Sequence, residues 1–397
     1  MANVVLLTTK YANEKKDAWL TNELAYSLRD QGYNVTAVVF SWLKNDPESS
    51  VSELDGINVV RLKLHKLFYT TGFIGTALKV FLFPYWARYV IGRNLKTCDL
   101  LIANTPCITI QGLSTYFKRR YGSKSYLVLW DFFPFYLKDL GVIRNKLFFK
   151  FFWFLEQKMY QSFDRIGCMT PGNIDFLLEN YSGIERDKVE ILPLWTDQKP
   201  IVAVDKYKLR EKYSLPQDKV IAVYGGAMSI VQELTNILDL AEHTADINVL
   251  FLFIGRGTEK KSLEEEASRR GLKNVRFLDY VPRDEYEGLV ASCDVGLISL
   301  SRRLSVPSFP SKSIDYFKVA LPVLASLDSV TDFGTILQDE IKAGFSVVAG
   351  NTALMSEKLK ALVSDADLRK KMGSLGRLYY EKHLSVENAR NKISSII

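Results

Sequence analysis

Apolar and polar positions along this chain follow two alternating rhythms. Residues 4–7 form a short continuous apolar run, as a strand buried on both faces does. Leu20, Leu24 and Leu28 then recur at helical spacing, and Gly32 stands where that helix should end. Residues 35–40 read as a second strand, and 99–103, 126–129, 165–169 and 189–192 as further buried strands. The pattern restarts in the second half. A strand over 219–224 runs into Gly225-Gly226, and a helix over 232–242 follows. A strand over 249–254 then leads into Gly255-Arg256-Gly257 and another helix, and strands over 275–278, 295–299 and 322–325 complete a second sheet.

Strands alternating with helices predict parallel sheets covered on both faces. The expected fold is α/β, two Rossmann-like doubly wound parallel-sheet domains. The first takes residues 1–198, the second 199–375, and a helical segment over 376–397 packs back towards the first. The linker is placed at 195–204. Open sheets of this kind bind ligands at the C-terminal ends of their strands, here in a cleft between the domains.

Composition narrows the choice. The chain has 397 residues, enough for two cores, with 52 Lys+Arg against 45 Asp+Glu and a formal charge of +7. That excess suits an anionic partner such as a nucleotide diphosphate or an acidic membrane surface. No dense basic tract or nucleic-acid module is present, so no nucleic-acid partner is expected. Cys98, Cys107, Cys168 and Cys293 form no CxxC pair, which points to a reducing compartment. The first apolar run is too short for a secretory signal, and none is long enough to span a bilayer. His65, His243 and His383 read as structural, and the one Asp-x-Asp, at residues 365–367, lies in a charged helix with no site around it.

Three stretches can carry chemistry. In VYGGAMSIVQELTNILDLA (223–241) two glycines permit a tight turn, and free N–H groups before the helix attract phosphate; a ligand-free turn is equally compatible. In FIGRGTEKKSLEEEA (253–267) Arg256 can set a cation near a phosphate, or the loop can simply feed a surface helix. In SVPSFPSKSIDYFKVALPVLAS (305–326) Ser311 can cap a short helix carrying Lys312 and Asp315. A lysine at a helix start adds charge to an already positive end, which an anion would offset. The bland alternative is an exposed lysine and aspartate on a capped helix.

In order and spacing these stretches, with KVEILPLWTDQ and VRFLDYVPRDEYEGLVASCDVGLISL, resemble the donor domain of glycosyltransferase family four. Those are GT-B enzymes that build bacterial surface polysaccharides. The resemblance is good over residues 188–326 and holds in outline elsewhere. It implies that Gly226, Ser311 and Lys312 meet the donor diphosphate; the residues themselves add Gly225 and Arg256, the latter where relatives often carry an acidic residue. Asp315 would meet the ribose, and Tyr280 and Val281 the base. It also implies a nucleotide-sugar co-substrate, usually a UDP-sugar, with no cofactor or metal, and transfer with retention. Two departures stand out. The Arg and Lys that many relatives place after the Gly-rich turn are replaced by Ala227 or Met228 and by Gln232. In the Glu-x7-Glu pattern, Pro307 stands at the first position and Asp315 at the second.

WDFFP (130–134) is similar to the Asp-x-Trp-Pro segment of a subgroup that extends lipid-linked oligosaccharides. Asp131, just past a strand end, can orient or deprotonate an acceptor hydroxyl, or can cap a turn. Residues 64–96 and 144–163 are both basic and aromatic, which suits a membrane interface or a buried aromatic helix pair. Together these features predict a retaining glycosyltransferase extending an undecaprenyl-diphosphate-linked glycan of the O-antigen or capsule type. It would sit peripherally on the cytoplasmic face of the inner membrane. A GT-B sugar-nucleotide epimerase and a non-catalytic nucleotide- or glycan-binding partner remain open. A dinucleotide oxidoreductase fits least, since neither Gly-rich turn is followed by an acidic ribose ligand in a full GxGxxG setting.

Overall fold

The computed structural model of the chain describes residues 1–41, 44–69, 72–105, 112–201 and 204–397. By its contacts the chain divides into two compact units, Met1–Asp197 with Ser385–Ile397, and Gln198–Leu384.

The first unit holds an eight-stranded sheet in the order β3-β4-β2-β1-β5-β6-β7-β8. Its strands are β1 (Asn3–Thr8), β2 (Asn34–Ser41), β3 (Ser50–Leu54), β4 (Ile57–Lys63), β5 (Leu100–Asn104), β6 (Lys124–Leu129), β7 (Arg165–Cys168) and β8 (Val189–Ile191). All neighbours pair in parallel except β3 and β4. The apolar runs make the buried strands: every residue of β1 from Val4 to Thr8 is buried. Helix Leu20–Asp30 closes one face with Leu24 and Leu28. The last helix, Val386–Ser394, belongs to this unit. Val386, Ala389 and Ile393 enter its core, and Arg390 donates to Ser27 Oγ at 3.1 Å.

The second unit holds a six-stranded parallel sheet in the order β11-β10-β9-β12-β13-β14. These strands are β9 (Val220–Gly225), β10 (Val249–Ile254), β11 (Val275–Leu278), β12 (Val295–Ser299), β13 (Val323–Leu327) and β14 (Gly344–Val348). β10, β12 and β13 are buried along their whole length, as a sheet covered on both faces requires. Strand order reverses between β9 and β12, the switch point of the sheet.

Several expectations need correction. The β3–β4 hairpin was not anticipated, because β3 is polar and exposed and carries no apolar run. Its turn, Asp55-Gly56 with both φ positive, was a legible hairpin signal. β14 was also missed. The helix after Gly225-Gly226 does not begin at 232. A single 3-10 turn, Ile230–Gln232, intervenes, and the helix runs Thr235–His243. Trp195, placed in the linker, is instead in the first core, its Nε1 donating to Leu20 O at 2.8 Å. Cys98, Cys168 and Cys293 are buried free thiols; Cys107 lies outside the described residues, as does part of the linker. Asp365 accepts from Leu368 N at 2.8 Å and so caps helix Ala366–His383.

Candidate functional site

At the switch point of the second sheet the β9–β12 ladder stops after Val223 and Gly296. The side chain of Tyr316 fills the opening. Its hydroxyl accepts the Gly225 N–H at 3.2 Å and lies 3.1 Å from Val223 O and 3.0 Å from Leu297 O. Its ring occupies space that only glycine at 296 leaves free, since a Cβ there would lie 2.4 Å from the ring. Tyr316 is thus the clamp of the Gly-Gly turn. Sequence reasoning did not find it, because nothing local marks one aromatic residue of a helix as reaching a strand far away in the chain.

The two glycine-rich turns pack on each other. Gly226 N donates to Ile254 O at 2.9 Å, and Met228 N to Arg256 O at 2.8 Å. Gly255, at φ +140, could carry no side chain, because a Cβ would lie 2.1 Å from Gly226 O. The N–H groups of Gly225 and Gly226 are themselves already bonded within the fold. What the glycines provide is close approach. A Cβ on Gly225 would collide with the Tyr286 hydroxyl, and one on Gly226 would lie 2.9 Å from Lys312 Cε.

Lys312 opens the seven-residue helix Lys312–Lys318. Its half-buried stem crosses Gly226, and its ammonium lies 5.1 Å from the centre of the Tyr224 ring. No described residue forms a hydrogen bond or ion pair with Nζ. Desolvation pushes its pKa down to about 8, against the opposing pull of the Asp315 charge. Among the described residues this ammonium has no fixed anion. Ser311 stands at the N-cap, but its side chain accepts no capping bond; the first turn is closed by Ser313 Oγ and Ser313 N, at 2.7 and 3.0 Å from Pro310 O. Asp315 is exposed one turn on.

Arg256 and Tyr280 come together at the C-terminal edge of the same sheet, the exposed guanidinium 4.9 Å from the ring centre. Val281 beside them is buried. At the positions where relatives carry Arg and Lys, Ala227 is exposed and carries no charge. Met228 is fully buried, and Gln232 forms a capping box with Ser229, whose Oγ lies 2.6 Å from Gln232 Oε1.

Asp131 lies in the first unit, two residues beyond β6. Thr105 Oγ1 accepts both Trp130 N at 2.8 Å and Asp131 N at 2.9 Å, which fixes the turn, and Phe132 is buried against Phe176. The Asp131 carboxylate caps nothing and has no hydrogen-bond donor among the described residues. It keeps a solvent-exposed face with protein mass behind it, and this desolvation raises its pKa to about 6.

The basic aromatic stretches are partly core and partly surface. Helix Lys146–Ser162 buries Leu155, Glu156, Met159 and Tyr160. Its other side exposes Leu147, Phe148, Phe151 and Phe154 among Lys146, Lys150 and Lys158. Phe81 meets Phe151 at 6.0 Å, so the exposed Phe81, Leu82 and Tyr85 extend the same apolar surface. Side chains 72–74 and 76–77 lie outside the described residues. No helix among the described residues is long and apolar enough to cross a membrane.

The model of the family described as glycosyl transferases group 1 matches residues 205–379, within the second unit. WcaI of Escherichia coli K12, named as a glycosyl transferase of colanic acid biosynthesis, is 25% identical over 236 residues. That match covers 57% of each chain, so this chain spans little more than half of that relative. Among solved structures, sucrose-phosphate synthase of Thermosynechococcus elongatus superposes with a TM-score of 0.76 at 14% identity, covering 99% of this chain and 98% of that one. Alr3699/HepE of Anabaena, solved with UDP and glucose, gives 0.71 at 13% identity over 100% and 99% of the two chains. At such identities the likeness to solved structures speaks for the fold alone. The chain has the GT-B fold of two parallel-sheet α/β domains, and its residues 205–379 match the model of the glycosyl transferases of group 1.

Proposed function

We propose that this protein transfers a sugar from a nucleotide-sugar, a UDP-sugar, to a growing lipid-linked bacterial surface glycan. The observation that carries the reading is Lys312, an ammonium to which no described residue is bonded, held across Gly226 at the switch point of the family-matched unit. A diphosphate there completes the charge that the fold leaves open. Lys312 then stabilises the negative charge that develops as the bond from the sugar C1 to the diphosphate breaks. Asp315 receives the ribose hydroxyls, and Tyr280 with Val281 lies along the base. Arg256, already beside Tyr280, supplies a second cation. In the first unit Asp131 orients the acceptor hydroxyl and takes its proton as the new C1–O bond forms. Retention of configuration and independence of metal belong to the same reading and rest on the family resemblance.

The exposed Leu147, Phe148, Phe151 and Phe154 with their flanking lysines suit an anionic membrane surface, with rings in the headgroup layer. This fits an undecaprenyl-diphosphate-linked acceptor at the cytoplasmic face of the inner membrane, and WcaI is by its name a glycosyl transferase of colanic acid biosynthesis. The test is a panel of nucleotide-sugars with a lipid-linked acceptor extract, comparing wild type with Lys312→Ala. Transfer at the wild-type rate in Lys312→Ala would overturn the diphosphate role. Donor binding without transfer to any acceptor would favour the non-catalytic binding partner, the reading that Met228 and Gln232 keep open.

A further inference from the structure

Glu156 is a carboxyl group in the middle of an aromatic helix, 1% exposed, and the proposed chemistry makes no use of it. The Tyr181 hydroxyl donates to its Oε2, and that same hydroxyl lies 3.3 Å from Phe133 O. The Phe133 backbone N–H and the Tyr160 side chain also face the carboxyl. The Phe133 peptide, two residues after Asp131, thus lies against the Tyr181–Glu156 pair. The surrounding rings leave this arrangement little freedom: Tyr160 to Tyr181 is 4.9 Å, Phe133 to Phe152 is 5.5 Å, and Phe132 to Phe176 is 4.8 Å.

We infer that Glu156 is a positioning residue for Asp131: with Tyr181 it fixes the Phe133 peptide, and so the turn that presents the Asp131 carboxylate. The inference rests on the role given to Asp131 above. A buried ionised carboxylate would be costly, and burial raises the Glu156 pKa to about 8 while Asp131, desolvated to a lesser degree, stands at about 6. Glu156 is therefore neutral at pH 7. The titratable groups around it are Tyr160 on its own helix, Tyr181 beyond helix Pro171–Asn180, Tyr136 on helix Phe135–Asp139, and Asp131 itself. Of these, Asp131 and Glu156 titrate near neutrality, and the Asp131 charge adds to the rise at Glu156.

The experiment is a pH titration of the full-length protein labelled with 13C at Asp and Glu carboxyls, the Asp131 signal being assigned by its loss in Asp131→Asn. Wild type should show an Asp131 inflection near 6 and a second, smaller one near 8 as Glu156 ionises. Glu156→Gln should keep the first, because Glu156 is neutral there, and lose the second. Glu156→Leu removes the acceptor that holds the Tyr181 hydroxyl, frees that hydroxyl to turn to Phe133 O, and should shift the Asp131 signal itself. Tyr181→Phe, which keeps the ring packing, should shift it in the same direction by less. In transfer assays Glu156→Leu should lower kcat by about 10- to 100-fold with donor KM unchanged, the scale expected for a displaced reacting group, and Glu156→Gln should restore most of it below pH 8. Survival of the inflection near 8 in Glu156→Gln, or an Asp131 signal unmoved in both Glu156→Leu and Tyr181→Phe, would overturn the inference. The titration reads no transfer, so a finding that Asp131 is dispensable for activity would remove its role in the reaction and leave the structural coupling standing.

Discussion

Lys312→Ala removes a half-buried ammonium to which no described residue bonds, so its main effect should fall on the ligand rather than on the fold. A charge-assisted hydrogen bond is worth about 1.5–3 kcal/mol, and tenfold in affinity is about 1.4 kcal/mol, so UDP should bind about 10- to 100-fold more weakly. The pH dependence sharpens this. The Lys312 pKa stands near 8, below the ordinary lysine value, because desolvation disfavours the charged form. A bound diphosphate favours that form and raises the value. UDP affinity should therefore be full below about 8 and fall as pH rises through it, with proton uptake on binding above it. Isothermal titration calorimetry with UDP, from pH 6.5 to 9 in two buffers of different ionisation enthalpy, measures both quantities. Thermal unfolding of the variant should not drop, since the lost group is a desolvated charge rather than half of an ion pair. The reasoning fails if Lys312→Ala binds UDP within about threefold of wild type, or if proton uptake persists in it.

Other outcomes follow from the same geometry. Tyr316→Phe should cost about 1–3 kcal/mol in urea denaturation, because the Gly225 N–H and two carbonyls lose a buried partner, and it should weaken UDP binding by loosening the turn. Gly255→Ala should destabilise the second unit by about 1–3 kcal/mol or more, since its Cβ would meet Gly226 O at 2.1 Å at a φ of +140. Asp131→Asn should abolish transfer and leave UDP affinity unchanged; in wild type, transfer should fall as pH drops through about 6, where the base becomes protonated. Replacing Phe148 and Phe151 by Ser should reduce co-sedimentation with vesicles containing anionic lipid; binding indifferent to lipid charge in wild type would refute the membrane reading.

The α/β class and most strands could be read from apolar runs, because a strand buried on both faces must be continuously apolar wherever it sits. The runs over 4–7, 249–254 and 295–299 show this. β3 could not be read that way, since an exposed edge strand carries no such run. Lys312 and Asp131 were found through local motifs. Their surroundings were not: Gly225 and Gly226 allow the close approach of Tyr286 and Lys312, and Ser311 marks a helix start without capping it.

By itself, then, the sequence determined two parallel-sheet units, the turns at which their ligand ends lie, and the lysine and aspartate placed there. Tertiary structure alone decided which partners those residues have. Tyr316 reaches Gly225 across 91 positions, and Tyr181 reaches Glu156 across 25. Periodicity reports which face of an element is buried. It carries no record of which distant side chain meets that face, and the desolvation that shifts Lys312, Asp131 and Glu156 exists only once those faces have met.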